Sequence, residues 1–450
     1  MNVIVICCDT VRPDFLSCYG NTRVRTPNLE HLAGESVLFE NCICEGPPTF
    51  STRLAWFSGK FTFPFFLVRR PTRQDLLLAE ILWDKGYQSA MISDGWHLHE
   101  PTGLDVSRGF DFVQWIRGQE ADPVDAGQKL ALPVGEYFKP HPDNARVSAY
   151  WRARLEQYFR NTAHWKTEQD TFVARVMTAA LKWLRRQPRR DNLFLWVDCF
   201  DPHEPWDPRF NCHEEYDPGY KGKLIIDPVP GYVAGYLTAA ELRHIKALYA
   251  GEVTLVDRWI GHFLEELRGM GFYDNSLIVF TSDHGHPFGE HGVIKKARPY
   301  PYTELVHVPL VVRLPGGKGA GRRVGSLVET VDLMPTLLEF MAVPVPEGVQ
   351  GVSLMPVLRG EVNGVRDYAY YGYHPWAWAI RDGEWSYILW FGDKGHYEDE
   401  IVDRPPELYH IATDPGEQQN VLQDNPEVAR KLELELRTFV EKIRRQLPWP

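Results

Sequence analysis

The chain of 450 residues has no run of the roughly 18–20 apolar residues that a membrane-spanning helix requires. It also lacks a basic segment at its start. MNVIVICCDT meets Asp9 after an apolar stretch too short for a signal peptide, so a cytoplasmic protein is expected. Basic residues are in deficit, with 49 Lys and Arg against 60 Asp and Glu and a net charge of −11. An acidic surface repels phosphate backbones, which argues against bulk nucleic-acid binding. Cysteines are few and odd in number, seven, and Cys7, Cys8 and Cys199 lie in apolar runs where thiols pack, a reduced intracellular pattern. Internal repeats and low-complexity tracts are absent.

What is present is an ordinary globular composition, 44% apolar and 24% charged, long enough for up to about three units and for a large core. No disulfide or structural metal is needed merely to fold it. The 15 Trp, 20 Tyr and 23 Phe concentrate in the middle and the C-terminal third, which suits an organic-group pocket and a packed core equally well.

Short β-branched runs predict buried strands at Val3–Cys8, Gln88–Ser93, Leu193–Cys199, Ser276–Ser282 and Val308–Arg313. Helical patterns separate them. One opens at Thr26-Pro27. A second follows Thr167–Asp170 with Phe172, Val173, Val176, Met177, Ala180, Leu181 and Leu184 on one face. A third starts with the capping box Thr238–Glu241 and ends at Gly269. This alternation predicts an α/β domain with a large parallel sheet covered by helices on both faces, over residues 1–360. Residues 361–450 read as a small C-terminal α+β subdomain with an antiparallel sheet. Its hairpin is Ala377–Arg381 and Glu384–Leu389 around Asp382-Gly383, read as a type I′ turn, and its final helix starts at Asn425-Pro426-Glu427. The stretch from about Trp115 to Arg160 reads as an irregular lid or decorated loop.

Ligands of open α/β sheets gather at the carboxyl edge of the strands. Asp9 ends the first strand there, and Asp283-His284 end the fourth. Together they make a hard oxygen-and-imidazole set for a divalent cation, whereas separately they read as a helix cap and a solvated turn. In Pro47-Pro48-Thr49-Phe50-Ser51-Thr52-Arg53, Thr49 falls at a helix N-terminus that would favour an alkoxide or anion, with Arg53 one turn on as an anion clamp. A capping threonine with a surface arginine is the alternative.

Several segments resemble the sulfatase family of the alkaline phosphatase superfamily: CDTVRPDFLSCYGNTRVRTPNLEHLA, SDHGHPFGEHG, HVPLVVRLPG, LVETVDLMPTLLEFMAVPVP, GVSLMPVLRG and ELYHIATDPGEQQNV. The pattern is closest to the phosphonate monoester hydrolase and choline-sulfatase-like branch, which holds one manganese-like ion. The resemblance implies an alkaline-phosphatase-like sheet and a metal held by Asp9, Thr49, Asp283 and His284. It implies one divalent ion, Mn favoured over Ca, Mg or Zn. His203, in FDPHEPW, falls on the leaving-group histidine and general acid, and Lys296 or its neighbour Lys295 falls near the anion-binding lysine. His97 and His99, in Gly95-Trp96-His97-Leu98-His99, stand where the family has a Lys-Trp-His segment whose lysine is missing here, and a loop histidine of this kind is more often structural than a pocket residue.

Two departures matter. Family sulfatases carry Cys or Ser in a C/S-x-P-x-R segment that is converted to formylglycine; Thr49 stands at that position, with Ser51 for the proline. Thr10 replaces a second aspartate of many sulfatases. The expected activity is therefore metal-dependent hydrolysis of phosphate or phosphonate esters through a covalent Thr49 intermediate, with Arg53, His203 and Lys296 assisting. Sulfate ester hydrolysis without formylglycine and an inactive anion-binding pseudoenzyme are the alternatives. The expected partner is a small anionic ester, with no nucleic acid and no membrane; self-association into a homo-oligomer is left open.

Overall fold

The computed structural model describes residues 1–66, 69–98, 105–124, 134–394 and 401–446. In chain order its strands are β1 (Asn2–Cys8), β2 (Val37–Ile43), β3 (Gln88–Ser93), β4 (Phe112–Trp115), β5 (Leu193–Cys199), β6 (Gly231–Tyr232), β7 (Ser276–Thr281), β8 (Val293–Ile294), β9 (His307–Arg313) and β10 (Arg322–Glu329). The C-terminal strands are β11 (Ala369–Tyr373), β12 (Ala377–Arg381), β13 (Trp385–Trp390) and β14 (Glu407–His410). The main sheet has eight strands in the order β10-β2-β9-β7-β1-β5-β3-β4.

β1 is central and buried along its whole length, which is why it reads as a continuous apolar run. Its alternate residues feed two cores. Ile4, Ile6 and Cys8 join one with the helices Phe172–Arg185 and Ala239–Met270, and Val3, Val5 and Cys7 join the other with Trp56, Trp196 and Leu337. All seven apolar positions named for Phe172–Arg185 are buried. Thr238 and Glu241 cap the long helix reciprocally, and it ends two residues later than expected, at Gly271 with φ 76°.

The sheet is mixed rather than wholly parallel. β9 runs antiparallel to both β7 and β2. The physical reason lies in the connection from Ser282 to Val306: its one α-helix is the four-residue Thr303–Val306, too short for a crossover, so the chain turns back at the edge where β7 ends. β2, β4 and β10 were not foreseen, and β4 and β10 are edge strands without a continuous apolar run.

β11 to β14 form the antiparallel C-terminal sheet, covered by the helix Pro426–Gln446 through Leu432, Leu436, Val440 and Ile443. The β12–β13 hairpin is present, but neither Asp382 nor Gly383 adopts positive φ. The Asp382 carboxylate instead accepts the N–H groups of Glu384 and Trp385, each at 2.8 Å, and holds the turn from its side chain. The expected lid between Trp115 and Arg160 contains an 18-residue helix, Ala145–Thr162, capped by Asn144. Its buried Val147, Trp151, Leu155, Tyr158 and Phe159 follow a helical spacing that was readable all along. Residues 125–133 of that stretch lie outside the described residues.

Parallel pairing of β5, β1 and β7 places Cys8 beside Cys199 and Cys7 beside Thr281, so three chain exits meet at one edge. Behind them Trp196 packs against Trp56 and Phe57, with ring centroids at 5.5 and 4.5 Å. Trp196→Ala should therefore cost about 3–5 kcal/mol of unfolding free energy, read as a lower urea midpoint at unchanged slope.

Candidate active site

Asp9 leaves β1 and Asp283-His284 leave β7 at that shared edge, and their ligand atoms lie within 4.8 Å of one another, all buried. The Asp283 carboxylate accepts the N–H of Thr10 at 3.1 Å and of His284 at 2.9 Å, which holds it against β1. Oδ1 of Asp9 is buried with no hydrogen-bond partner among the described residues.

Arg53 enters this cluster from the helix Thr49–Ser58. Its Nη2 lies 2.8 Å and its Nε 3.2 Å from the two oxygens of Asp198, Nη2 reaches Asp9 at 3.2 Å, and Nη1 bonds Asp283. The sequence placed Arg53 as an anion clamp one turn from Thr49. In this structure its fork meets Asp198, with Asp9 and Asp283 alongside. With all three carboxyls ionised, the one guanidinium would leave two negative charges in a fully buried place. Burial, and then Asp283, push the Asp9 carboxyl well above its ordinary range. Burial would raise Asp283 too, but His284 and Arg53 outweigh it and hold that carboxyl low. Burial keeps His284 neutral, with a pKa lowered to about 4. Its Nδ1 donates to the Gly285 carbonyl at 2.7 Å, which leaves Nε2 as the donor atom facing the cluster. An orphaned carboxylate oxygen, a neutral imidazole and more carboxyl groups than the one guanidinium can neutralise fit a hard divalent cation.

Thr49 is the first residue of its helix, and its Oγ1 lies 3.2 Å from His284 Nε2. Above it a cleft of about 190 Å³ is lined by Phe50, Glu120, Trp151, Arg154, Phe200, His203, Lys296 and Tyr373, among others. His203 and Lys296 meet there, with Nε2 to Nζ at 3.0 Å. Burial lowers the His203 pKa to about 3, so the ring is neutral. The two adjacent lysines diverge because Lys295 adopts φ 60°. The Lys295 ammonium is buried, held by Glu204 at 2.6 Å and Asp227 at 2.5 Å, and lies 3.7 Å from the Trp151 ring centroid. Lys296 is the one that reaches His203.

Trp151, Arg154 and Glu120 were missed, and Asp198 and Glu204, in the run from the end of β5 past His203, were given no role. The helical spacing of Ala145–Thr162 would have found the first two; nothing local marks the rest. The turn Trp96–Leu98 holds His97 at the backbone level, and His99 lies outside the described residues.

A family model described as Sulfatase matches residues 1–343. The chain belongs to the sulfatase family. A second model, N-sulphoglucosamine sulphohydrolase, C-terminal, matches residues 289–446 of this sulfatase-family protein. It is 26% identical to an N-acetylglucosamine-6-O-sulfatase of Bacteroides thetaiotaomicron over 99% of this chain and 86% of the relative. It is 26% identical to an arylsulfatase of Clostridium perfringens over 90% of this chain and 88% of that one. The phosphonate monoester hydrolase of Agrobacterium radiobacter has the same fold, with a TM-score of 0.74 at 22% identity over 99% of this chain and 96% of that one.

Two outcomes follow from this geometry. Asp283→Ala should lose its divalent ion by elemental analysis while keeping the fold, and full occupancy would refute the cluster. Metal uptake should tighten as pH rises through the elevated Asp9 range, because the proton that Asp9 holds competes with the cation. Calorimetry in buffers of differing ionisation enthalpy should show that proton being released.

Proposed function

We propose that this sulfatase-family hydrolase cleaves phosphate or phosphonate esters through a covalent intermediate on an unmodified Thr49. The observation that carries the reading is the Thr49 hydroxyl, 3.2 Å from His284 Nε2 at the floor of the cleft and at the N-terminus of a ten-residue helix. Asp9, Asp283 and His284 would hold the metal, with Thr49 beside them. A divalent cation bound there supplies charge that favours the deprotonated hydroxyl and offsets charge on the ester oxygens. The helix N-terminus stabilises the same anion. Oγ1 releases its proton to solvent and attacks phosphorus, the bond to the leaving oxygen breaks, and the Lys296–His203 pair delivers the proton that oxygen needs. Lys296 also neutralises negative charge on the transferred group. Water then attacks phosphorus, breaks its bond to Oγ1 and regenerates the threonine.

Phosphorus is favoured over sulfur by the second step. A formylglycine diol expels sulfate by elimination through its second hydroxyl, an exit that threonine does not have. In-line attack of water on a phosphothreonine needs no such exit. Sulfate ester hydrolysis is the second reading, favoured because the two curated relatives are named as sulfatases. Seven free thiols, six of them buried, support a reducing compartment. No helix among the described residues is long and apolar enough to cross a membrane.

Matched aryl phosphate, phosphodiester, phosphonate and sulfate esters in defined metals test the proposal. The phosphorus esters should turn over faster, and a clear win for sulfate would contradict the elimination argument. Thr49→Ala should abolish turnover while retaining most metal binding, and Thr49→Ser should keep measurable activity. A Thr49→Ala enzyme near the wild-type rate would mean direct attack by water. Lys296→Met should lose activity at wild-type stability, whereas Lys295→Met should lower the unfolding midpoint, because it leaves Glu204 and Asp227 buried without their ammonium.

A further inference from the structure

His203 is gripped from behind by the residue that follows it. Its Nδ1 lies 2.9 Å from the Glu204 carbonyl oxygen and 3.3 Å from Glu204 Oε2, which has no hydrogen-bond partner among the described residues. Phe200 lies against the ring with centroids 4.1 Å apart, fixing its plane. The Glu204 carboxylate is itself immobilised. Its Oε1 takes the Lys295 ammonium at 2.6 Å, Lys295 is pinned by Asp227 at 2.5 Å, and Arg154 stands 3.6 Å from the other oxygen of Asp227. All of these groups are buried.

The Glu204 carbonyl oxygen calls for an N–H at Nδ1, and the Glu204 carboxylate oxygen 3.3 Å away sets negative charge beside that N–H whether the imidazole is neutral or charged. The only nitrogen left to exchange a proton is Nε2, the atom that meets Lys296 in the cleft. We propose that Glu204 is a positioning residue for leaving-group protonation, fixing the His203 tautomer and ring so that Nε2 alone donates to the departing oxygen. The proposal rests on the reading of His203 as part of the proton donor. In the step, the Lys296 ammonium passes a proton to Nε2, the new Nε2–H bond breaks as the O–H bond of the leaving alcohol forms, and the ring is left neutral with its proton on Nδ1. The Glu204 charge favours the imidazolium that precedes this transfer, opposing the burial that disfavours it. A counter-ion whose only task was to neutralise Lys295 would not need its second oxygen turned towards His203.

The test compares kcat and KM for a nitrophenyl ester and an alkyl ester of the same phosphonic acid, in the full-length, metal-loaded protein. Glu204→Gln keeps the shape and an acceptor for Lys295 but removes the charge facing Nδ1. It should lower kcat for the alkyl ester about ten- to a hundredfold, the range typical of residues that orient a functional imidazole from behind. The nitrophenyl ester, whose leaving group needs no proton, should change less than about threefold, and KM less than about twofold. Glu204→Asp keeps the charge for Lys295 and withdraws it from Nδ1, so it should show an intermediate, still leaving-group-dependent loss; it carries the test if Glu204→Gln fails to fold. Equal losses on both esters in the folded variants would overturn the proposal. His203→Gln separates the two levels. If it spares the nitrophenyl ester and the Glu204 variants do not, only the Glu204 role falls. If His203→Gln itself slows both esters equally, the acid role falls, and the positioning role with it.

Discussion

One guanidinium among three buried carboxylates governs this site. Arg53 lies inside the protein with Asp9, Asp198 and Asp283 around it, and no single pair in that group could be buried alone without a large desolvation penalty. Asp198 takes the fork side-on and is held from the other direction by Trp196 Nε1 at 3.2 Å. It is thereby engaged by Arg53, and Oδ1 of Asp9 is left without a partner among the described residues. The gathering of carboxyl groups around one guanidinium, rather than any one residue, is what makes this edge a candidate metal site.

The sheet supplies the geometry on which that cluster depends. Three neighbouring strands, β5, β1 and β7, run parallel and in register, so their exits deliver Asp198 to Glu204, Asp9, and Asp283 to His284 within one small volume. The reversal at β9 keeps the long connection after β7 at the same edge, and that connection carries Lys295 and Lys296. The helix Ala145–Thr162 closes the far side with Trp151 and Arg154, and Tyr373 at the end of β11 brings the C-terminal sheet to the cleft. The candidate site residues sit on rigid strand ends, and the rest of the cleft lining comes from elements added around them.

Much of this was legible in the residues, for physical reasons. A strand buried on both faces must be continuously apolar, so β1, β5 and β7 stood out, and the polar residues that end them named Asp9, His203, Asp283 and His284 in advance. Edge strands have no such demand, which is why β4 and β10 passed unnoticed. Partnership is not written locally either. Arg53 was visible as a charge near Thr49, but its commitment to Asp198 depends on side chains 145 positions apart. The choice between Lys295 and Lys296 turned on one backbone angle, φ 60° at Lys295, which spacing does not encode.

A covalent bond from substrate to Thr49 is what separates the proposed hydrolysis from direct attack by water. Acid-quenching the metal-loaded protein during turnover of a phosphonate or phosphate ester, followed by mass analysis of the peptide that contains Thr49, reads that bond directly. The peptide should show threonine of unaltered mass before substrate, and a phosphoryl or phosphonyl adduct on the Thr49 hydroxyl during turnover. A peptide that stays unmodified while product accumulates in a burst, or one that carries an oxidised residue at Thr49 before substrate is added, would contradict it.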